Sequence, residues 1–181
     1  MSMEEKKKRL KELFISYGAI KRGEVILSSG KKSNYYIDGR MVSTTSEGAP
    51  LIADIINEML KGEDIDAVGG PTIGADPILG ALAGKGYYRT FIIRKEPKKH
   101  GLSKWIEGLL KETDKKVAIV DDVATTGGSI IRSINILKEH FPHIKVAKII
   151  VLVDREEGAK ERLEKEGYTL ESIFKAKELL E

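Results

Sequence analysis

Two adjacent acids followed by hydroxyl and glycine residues form the most informative stretch of the sequence. Residues 117–129 read Val-Ala-Ile-Val-Asp-Asp-Val-Ala-Thr-Thr-Gly-Gly-Ser, so the acids directly follow an apolar run. Neighbouring carboxylates at the end of a buried strand repel each other and lose solvation, which is tolerated where a cation or sugar hydroxyls lie opposite. The hydroxyl and backbone N–H groups of the residues after the two acids are suited to binding an anion at a helix N-terminus. A phosphorylated-sugar site is therefore predicted, rather than a strand cap before a glycine turn, at Asp121, Asp122, Val123, Ala124, Thr125, Thr126, Gly127, Gly128 and Ser129.

A second apolar run is followed by a cluster of cations. Five basic or titratable residues lie within positions 94–100, against Glu96 as the one acid. A departing polyphosphate needs several cations that approach and then withdraw, and a mobile basic loop supplies them. Glycines at both ends of residues 101–108 favour a mobile flap next to this cluster. The alternative is that the cluster is only a charged surface exposed to solvent. The cluster consists of Arg94, Lys95, Lys98, Lys99 and His100.

Arg155 follows a third apolar run, which ends at Val153. A planar guanidinium binds a carboxylate through two parallel hydrogen bonds better than any other side chain does. Arg155 is therefore a candidate for binding a carboxylate-bearing substrate. The alternative is an ion pair with Asp154 or Glu157.

Alternating strand and helix patterns predict the elements that position these residues. The apolar runs are rich in β-branched residues and do not alternate with polar ones, as is typical of parallel strands buried on both faces. Ligands of such sheets bind beyond the carboxyl ends of the strands, which brings the three junctions together. We expect an amphipathic first helix with apolar positions 10, 13, 14 and 17, extended segments at 24–27 and 35–38, strands at 67–68, 90–94, 116–120, 146–153 and 170–174, and helices at 50–61, 77–83, 129–139, 157–166 and 175–180.

Composition narrows the function classes. The chain has 181 residues, which suits one domain, and its 31 basic and 28 acidic residues give a net charge of only +3, which does not favour a nucleic-acid partner. The absence of cysteine excludes disulfides, thiolate nucleophiles and iron–sulfur clusters. The longest aliphatic run, 149–153, is far shorter than the roughly 20 residues of a membrane helix. We therefore expect a cytoplasmic protein without a membrane partner.

Four stretches resemble known motifs. Residues 117–129 resemble the 5-phosphoribosyl 1-diphosphate motif of the type I phosphoribosyltransferases. Residues 94–101 and 154–158 resemble the catalytic loop and the base-binding stretch of the orotate phosphoribosyltransferase family, and 27–38 resemble its hood. The resemblance implies an α/β protein with the parallel-sheet type I phosphoribosyltransferase fold, helices on both faces and a small N-terminal hood. One domain would span 1–181, with about 1–40 and the C-terminal segment forming the hood and about 45–155 the core.

The family resemblance also implies an activity and residue roles. The family transfers the phosphoribosyl group from 5-phosphoribosyl 1-diphosphate to orotate and releases pyrophosphate, with Mg²⁺ as cofactor. Mg²⁺ would be held mainly by the substrate near Asp121 and Asp122, without a dedicated set of protein ligands, and the active sites would be shared in a homodimer. By resemblance, the ribose would be contacted by Asp121 and Asp122, and the 5′-phosphate would be surrounded by residues 123–129. The diphosphate would be bound by Arg94, Lys95, Lys98 and His100, and orotate by Thr125 and Arg155. The catalytic residues would be Lys95, Lys98, His100, Asp121 and Asp122.

Two departures from the family pattern and two rival functions remain open. Ser28 and residues 72–74 stand where many members carry a lysine, so we expect backbone N–H groups of 70–74 and the flap to hold the diphosphate. One rival is a transferase for a purine base, which has no use for a carboxylate-binding Arg155. The other is a non-catalytic regulator that senses phosphoribosyl diphosphate and binds nucleic acid, for which the charge and the length leave little room.

Overall fold

The computed structural model describes residues 1–101 and 104–181 and has the predicted α/β architecture. A six-stranded sheet has the order β5-β4-β3-β6-β7-β8, and all its strands are parallel except β5. The elements are α1 (Met3–Ser16), β1 (Ile20–Ile26), β2 (Lys32–Ile37), α2 (Arg40–Ser43), α3 (Gly48–Met59), β3 (Ala67–Pro71), α4 (Asp76–Gly84), β4 (Arg89–Ile93), β5 (Ile106–Gly108), β6 (Lys116–Ala124), α5 (Gly128–His140), β7 (Lys145–Asp154), α6 (Ala159–Lys165), β8 (Leu170–Lys175) and α7 (Ala176–Leu180).

Helices cover both faces of the sheet, as the non-alternating strands predict. On one face, α1, α3 and α4 pack an apolar cluster that includes Phe14, Ile52 and Leu82. On the other face, α5 and α6 contribute Ile134 and Leu163 to a second cluster. Because both faces of β6 and β7 are buried, these strands hold the residues at their carboxyl ends in fixed positions.

The central strand β6 is longer than predicted. Its pairing with the ten-residue β7 continues to Ala124↔Asp154, so β6 ends at Ala124 rather than at Val120. Asp121 and Asp122 therefore lie within the strand, and the expectation that they follow it is wrong. The sequence pattern missed this because the partner strand, and not the end of the apolar run, sets the length of the ladder.

Two short elements were not predicted from the sequence. The four-residue helix α2 follows the hairpin, and the three-residue strand β5 pairs antiparallel with β4. The interpretation of 101–108 as a flap throughout is wrong for 106–108, which belong to the sheet. Leu102 and Ser103 of the predicted flap lie outside the described residues.

The N-terminal hairpin forms a separate two-stranded sheet. Strands β1 and β2 are antiparallel, and Gly30 N–H donates to the Leu27 carbonyl in the turn between them. Arg22 of β1 also donates to the Leu180 carbonyl at the end of the chain. The division into hood and core stays a prediction. Among the residues described, no helix is both long enough and apolar enough to cross a membrane.

Candidate functional site

Two adjoining cavities lie at the carboxyl ends of β6 and β7. The larger one, of about 630 Å³, lies between the hairpin and the ends of these strands, and Asp122, Thr125 and Arg155 line it. The smaller one, of about 330 Å³, is lined by residues 123–129, Lys95 and Arg132. Thr125 lines both cavities, which therefore adjoin, and the two together are the recess. Residues of all three predicted junctions thus line the recess: 122–129, Arg155 and, from the second junction, Lys95.

The two neighbouring acids have different surroundings. Asp121 is 6% exposed and accepts hydrogen bonds from the Asp122 backbone N–H at 2.8 Å and from Ser129 Oγ at 3.3 Å. Burial, followed by the charge of Asp122, raises the pKa of Asp121 well above the usual value of an aspartate. Asp122 is half-buried and lines the larger cavity. Asp122 is therefore the acid that can reach a ligand directly, and Asp121 lies behind it.

Gly74 is a site residue that the sequence analysis did not assign to the acids. A Cβ at position 74 would lie 2.3 Å from Asp122 Oδ1 and 2.9 Å from Asp121 Oδ1. Such distances are shorter than any real contact, so only glycine lets the loop after β3 approach both carboxylates. A glycine three residues beyond a strand was the available signal, but its partner becomes evident only when β3 and β6 are neighbours.

The loop after β6 turns into a helix whose N-terminus borders the smaller cavity. Gly127, with φ of 80°, adopts the left-handed conformation that favours glycine, and α5 begins at Gly128. The first turn of α5 carries no acidic residue. Its backbone N–H groups and positive helix end therefore suit an anion, as the sequence predicts.

Arg155 is a buried cation beside the larger cavity. Its side chain is 2% exposed, and its Nη2 donates to Ser33 Oγ at 2.9 Å and lies 3.4 Å from Glu157 Oε1. Its guanidinium stacks on the Tyr35 ring at 4.1 Å. Of the two alternative ion-pair partners of Arg155, Glu157 is therefore in contact with it, whereas Asp154 accepts a hydrogen bond from the Glu156 N–H. Arg155 also lines the larger cavity, as a substrate-binding residue would.

The four predicted diphosphate-binding residues are not all in the recess. Lys95 lines the smaller cavity, whereas Arg94 donates to the Glu96 carbonyl and pairs with Glu107 of β5 at 3.7 Å. Lys98 and His100 are exposed in the same loop after β4, and neither lines the two cavities. Of the four residues, the structure therefore brings only Lys95 to the recess.

The loop after β3 offers fewer backbone donors than expected. Thr72 N–H donates to the Ile93 carbonyl at 3.0 Å, and Thr72 Oγ1 donates to Asp76 Oδ2 at 2.7 Å. The expectation that all backbone N–H groups of 70–74 serve the diphosphate is therefore wrong for Thr72, because the sheet already uses that donor.

The recess also contains charged residues to which the sequence analysis gave no individual role. Asp38 and Arg40 line the larger cavity, and Arg132 of α5 lines the smaller one. Burial opposes the charge of Arg40, but the charges of Asp38 and Asp122 outweigh it and raise the Arg40 pKa. The unpredicted helix α2 is what places Arg40 here, so the sequence carried no clear signal.

Comparison with known proteins agrees with this geometry. Residues 44–178 match the phosphoribosyl transferase domain family. The orotate phosphoribosyltransferase of Pyrococcus abyssi is 46% identical over 97% of this chain and 96% of its own length. The crystal structure of orotate phosphoribosyltransferase from Aeropyrum pernix has a TM-score of 0.81 at 35% identity, covering 94% of this chain and 96% of that one.

A structure with a bound substrate is also similar. The Mycobacterium tuberculosis orotate phosphoribosyltransferase in complex with 5-phospho-α-D-ribosyl 1-diphosphate has a TM-score of 0.79 at 28% identity, covering 97% of this chain and 99% of that one. With the relatives above, this agreement extends over nearly the whole chain. The chain belongs to the phosphoribosyltransferase family, among the orotate phosphoribosyltransferases.

Proposed function

We propose that the chain transfers the phosphoribosyl group of 5-phosphoribosyl 1-diphosphate to orotate, giving orotidine 5′-monophosphate and pyrophosphate in pyrimidine biosynthesis. The observation that carries this proposal is the presence of Asp122 and the buried Arg155 in one cavity of about 630 Å³. An acid suits the ribose hydroxyls, and a guanidinium suits the carboxylate of the base. The orotate phosphoribosyltransferase of Pyrococcus abyssi, 46% identical to this chain, supports the proposal.

The residues divide the substrate between the two cavities. The N-terminus of α5 and residues 123–129 hold the 5′-phosphate, while Asp122 accepts hydrogen bonds from the ribose hydroxyls. The bond between ribose carbon 1 and the diphosphate oxygen breaks, and the electron pair leaves with pyrophosphate. A ring nitrogen of orotate bonds to carbon 1, and the proton of that nitrogen passes to the released pyrophosphate. Catalysis is therefore electrostatic and positional, with Lys95, Lys98 and His100 facing the departing anion.

Mg²⁺ fits this donor set as a cation carried mainly by the substrate. Within residues 1–101 and 104–181 there is no group of three or more histidine or acidic side chains placed to hold a metal. The protein supplies the Asp122 carboxylate, with Asp121 directly behind it, and the diphosphate and ribose supply the other oxygens that Mg²⁺ prefers. Bound Mg²⁺ would neutralise part of the diphosphate charge.

Arg155 favours orotate over a purine base. A purine has no carboxylate, so it would leave a guanidinium with 2% side-chain exposure facing an uncharged base edge, without a counter-charge. A panel assay with orotate, adenine, guanine, hypoxanthine and uracil, each with phosphoribosyl diphosphate and Mg²⁺, tests this choice. Product is expected with orotate; equal or faster turnover of a purine would support the rival function, and turnover of none would support the sensing regulator.

Replacement of Lys98 tests the role of the loop. Lys98→Ala is expected to lower kcat about 100-fold while the orotate KM stays within about twofold, because the lysine acts on the departing pyrophosphate. Lys104→Ala, an exposed lysine across the same loop, serves as the matched control. Equal effects of Lys98→Ala on kcat and on orotate KM would contradict the role in leaving-group departure.

A homodimer with shared active sites is part of the proposal, since the exposed Lys98 and His100 then reach the neighbouring chain's recess. Sedimentation of the active protein tests it, and a monomer with full activity would refute the shared site. A cytoplasmic location stays a prediction.

A further inference from the structure

Arg155 is enclosed by side chains from two separate parts of the fold. The hairpin strand β2 contributes Ser33, whose Oγ accepts from Nη2 at 2.9 Å, and Tyr35, whose ring lies 4.1 Å from the guanidinium carbon and whose carbonyl lies 3.5 Å from Nη2. The loop after β7 contributes Glu157, with Oε1 3.4 Å from Nη2. Ser33 and Tyr35 are two positions apart on one strand and therefore share a face.

The local backbone fixes the position of Glu157. Asp154 Oδ1 accepts the Glu156 N–H at 2.9 Å, and Glu156 adopts a positive φ of 59°. Both features turn the chain sharply after β7, so that Glu157 lies beside Arg155 while Glu156 points to Lys177 on the surface. Two adjacent glutamates thus have different surroundings.

The hydrogen bonds of Arg155 are incomplete. All three acceptors contact the same nitrogen, Nη2, whereas the buried Nε has no acceptor among the described residues. Glu157 Oε2 is likewise buried without a donor. At 3.4 Å the Arg155–Glu157 pair is longer than the 2.7–2.9 Å of a strong charge-assisted bond, and it uses one oxygen instead of two. A purely structural pair would be expected to close both gaps, because unmade bonds of buried charged groups are costly.

We propose that Ser33, Tyr35 and Glu157 are positioning residues that hold the Arg155 guanidinium in one plane, so that its remaining donors select a base that carries a carboxylate. The inference rests on the proposed function and deepens it. The ring of Tyr35 fixes the plane, and the acceptors on Nη2 fix the rotation within it. Selectivity for the carboxylate then depends on the hairpin and on the loop after β7 together.

Variants of Glu157 separate positioning from charge. Glu157→Ala removes the acceptor and is expected to raise the KM and the calorimetric Kd for orotate about tenfold, with kcat and the KM for phosphoribosyl diphosphate within about twofold. Glu157→Gln retains an oxygen acceptor and is expected to stay within about threefold of the unmodified protein. Glu156→Ala, the same truncation at the adjacent surface position, is the matched control and should change none of these quantities.

Variants of Tyr35 test the stacking contact independently. Tyr35→Phe keeps the ring and should bind orotate as the unmodified protein does. Tyr35→Leu removes it and is expected to raise the orotate KM and Kd about fivefold, which corresponds to the loss of one partly desolvated cation–π contact. Thermal unfolding of each variant is measured to exclude a general loss of structure.

The outcomes are distinguishable. Unchanged orotate affinity in both Glu157→Ala and Tyr35→Leu would overturn the positioning role, as would equal losses for orotate and phosphoribosyl diphosphate accompanied by a lower Tm. Unmodified protein that binds orotate but transfers no phosphoribosyl group would contradict the proposed function alone. Unmodified protein that does not bind orotate would overturn both.

Discussion

Two buried aspartates at opposite ends of β6 have opposite electrostatic surroundings. Asp114, just before the strand, is 4% exposed; both its oxygens accept from Arg89, at 2.7 and 3.1 Å, and one accepts the Lys111 N–H at 2.8 Å. The hydrogen bonds from Arg89 hold the Asp114 pKa below its usual value. Asp121, near the other end, is 6% exposed, has no cationic partner among the described residues, and has a raised pKa.

The difference between the two aspartates indicates that the two ends of β6 favour different charge states of a buried carboxyl group. At the amino ends of the parallel strands, a carboxylate with all its partners stabilises the fold in its charged form. At the carboxyl ends, a carboxylate without a cation opposes folding in its charged form and becomes favourable only when a ligand supplies hydroxyls or a metal. Four substitutions test this contrast.

The largest effect is expected from Asp122→Asn. The amide loses the charge that the ribose hydroxyls and Mg²⁺ would meet, so kcat/KM should fall about 100-fold, as for the loss of a hydrogen bond to a charged group. Thermal unfolding should change little, because Asp122 is half-buried and lines a cavity. Retained kcat/KM with lower stability would reverse the roles of the two ends of β6.

Asp114→Asn is expected to do the opposite. Removing one member of a buried pair is costly, and since the Arg89 side chain is 30% exposed we expect a moderate loss of about 2 kcal/mol in the free energy of unfolding. For a chain of this size the Tm should fall by about 4–8 °C. The KM values of the folded enzyme should not change. A lower kcat/KM without a change in Tm would show that Asp114 contributes to the recess.

Gly74→Ala tests the close approach of the loop to the acids. The new Cβ would lie 2.3 Å from Asp122 Oδ1, so the carboxylate must move, and the KM for phosphoribosyl diphosphate should rise about tenfold. Gly80→Ala is the control, because a Cβ at position 80 of α4 meets no atom within 4 Å. That variant should be as active as the unmodified protein and slightly more stable, by about 0.5–1 kcal/mol.

Asp121→Asn is expected to have the smallest effect of the four substitutions. It should change the free energy of unfolding and the dependence of that free energy on pH. The raised pKa means that the neutral acid is favoured in the folded state, so stability is greatest at low pH and decreases as the pH rises from about 4 through the folded-state pKa. The amide removes that decrease, and Tm at neutral pH should rise by about 2–4 °C. Activity should fall, so that stability and activity move in opposite directions.

Asp114 has the opposite pH dependence. Its lowered pKa contributes stability above about pH 4 that is lost as the pH falls through the folded-state value. As the pH rises from 3 to 8, Asp121→Asn should therefore become more stable than the unmodified protein, and Asp114→Asn should become less stable than it. Parallel curves for both variants would contradict the contrast.

The sequence predicts the parts of the molecule that depend on local pattern. Strands buried on both faces leave an apolar, non-alternating signal, and residues 121–129 and Arg155 follow from the rule that ligands bind at carboxyl ends. The remainder depends on distant partners. The length of β6 is set by β7, the three-residue β5 exists only through β4, and the role of Gly74 depends on the acids of a neighbouring strand.

Strand β5 limits how far the basic loop can travel. Arg94 N–H donates to the Trp105 carbonyl at 2.8 Å, so both stems of the loop are fixed to the edge of the sheet. Lys98 is four residues beyond Arg94, and a fully extended chain of that length spans at most about 14 Å. The lysine can therefore act only on a diphosphate that lies within this span, plus the length of its own side chain, of the edge of the sheet.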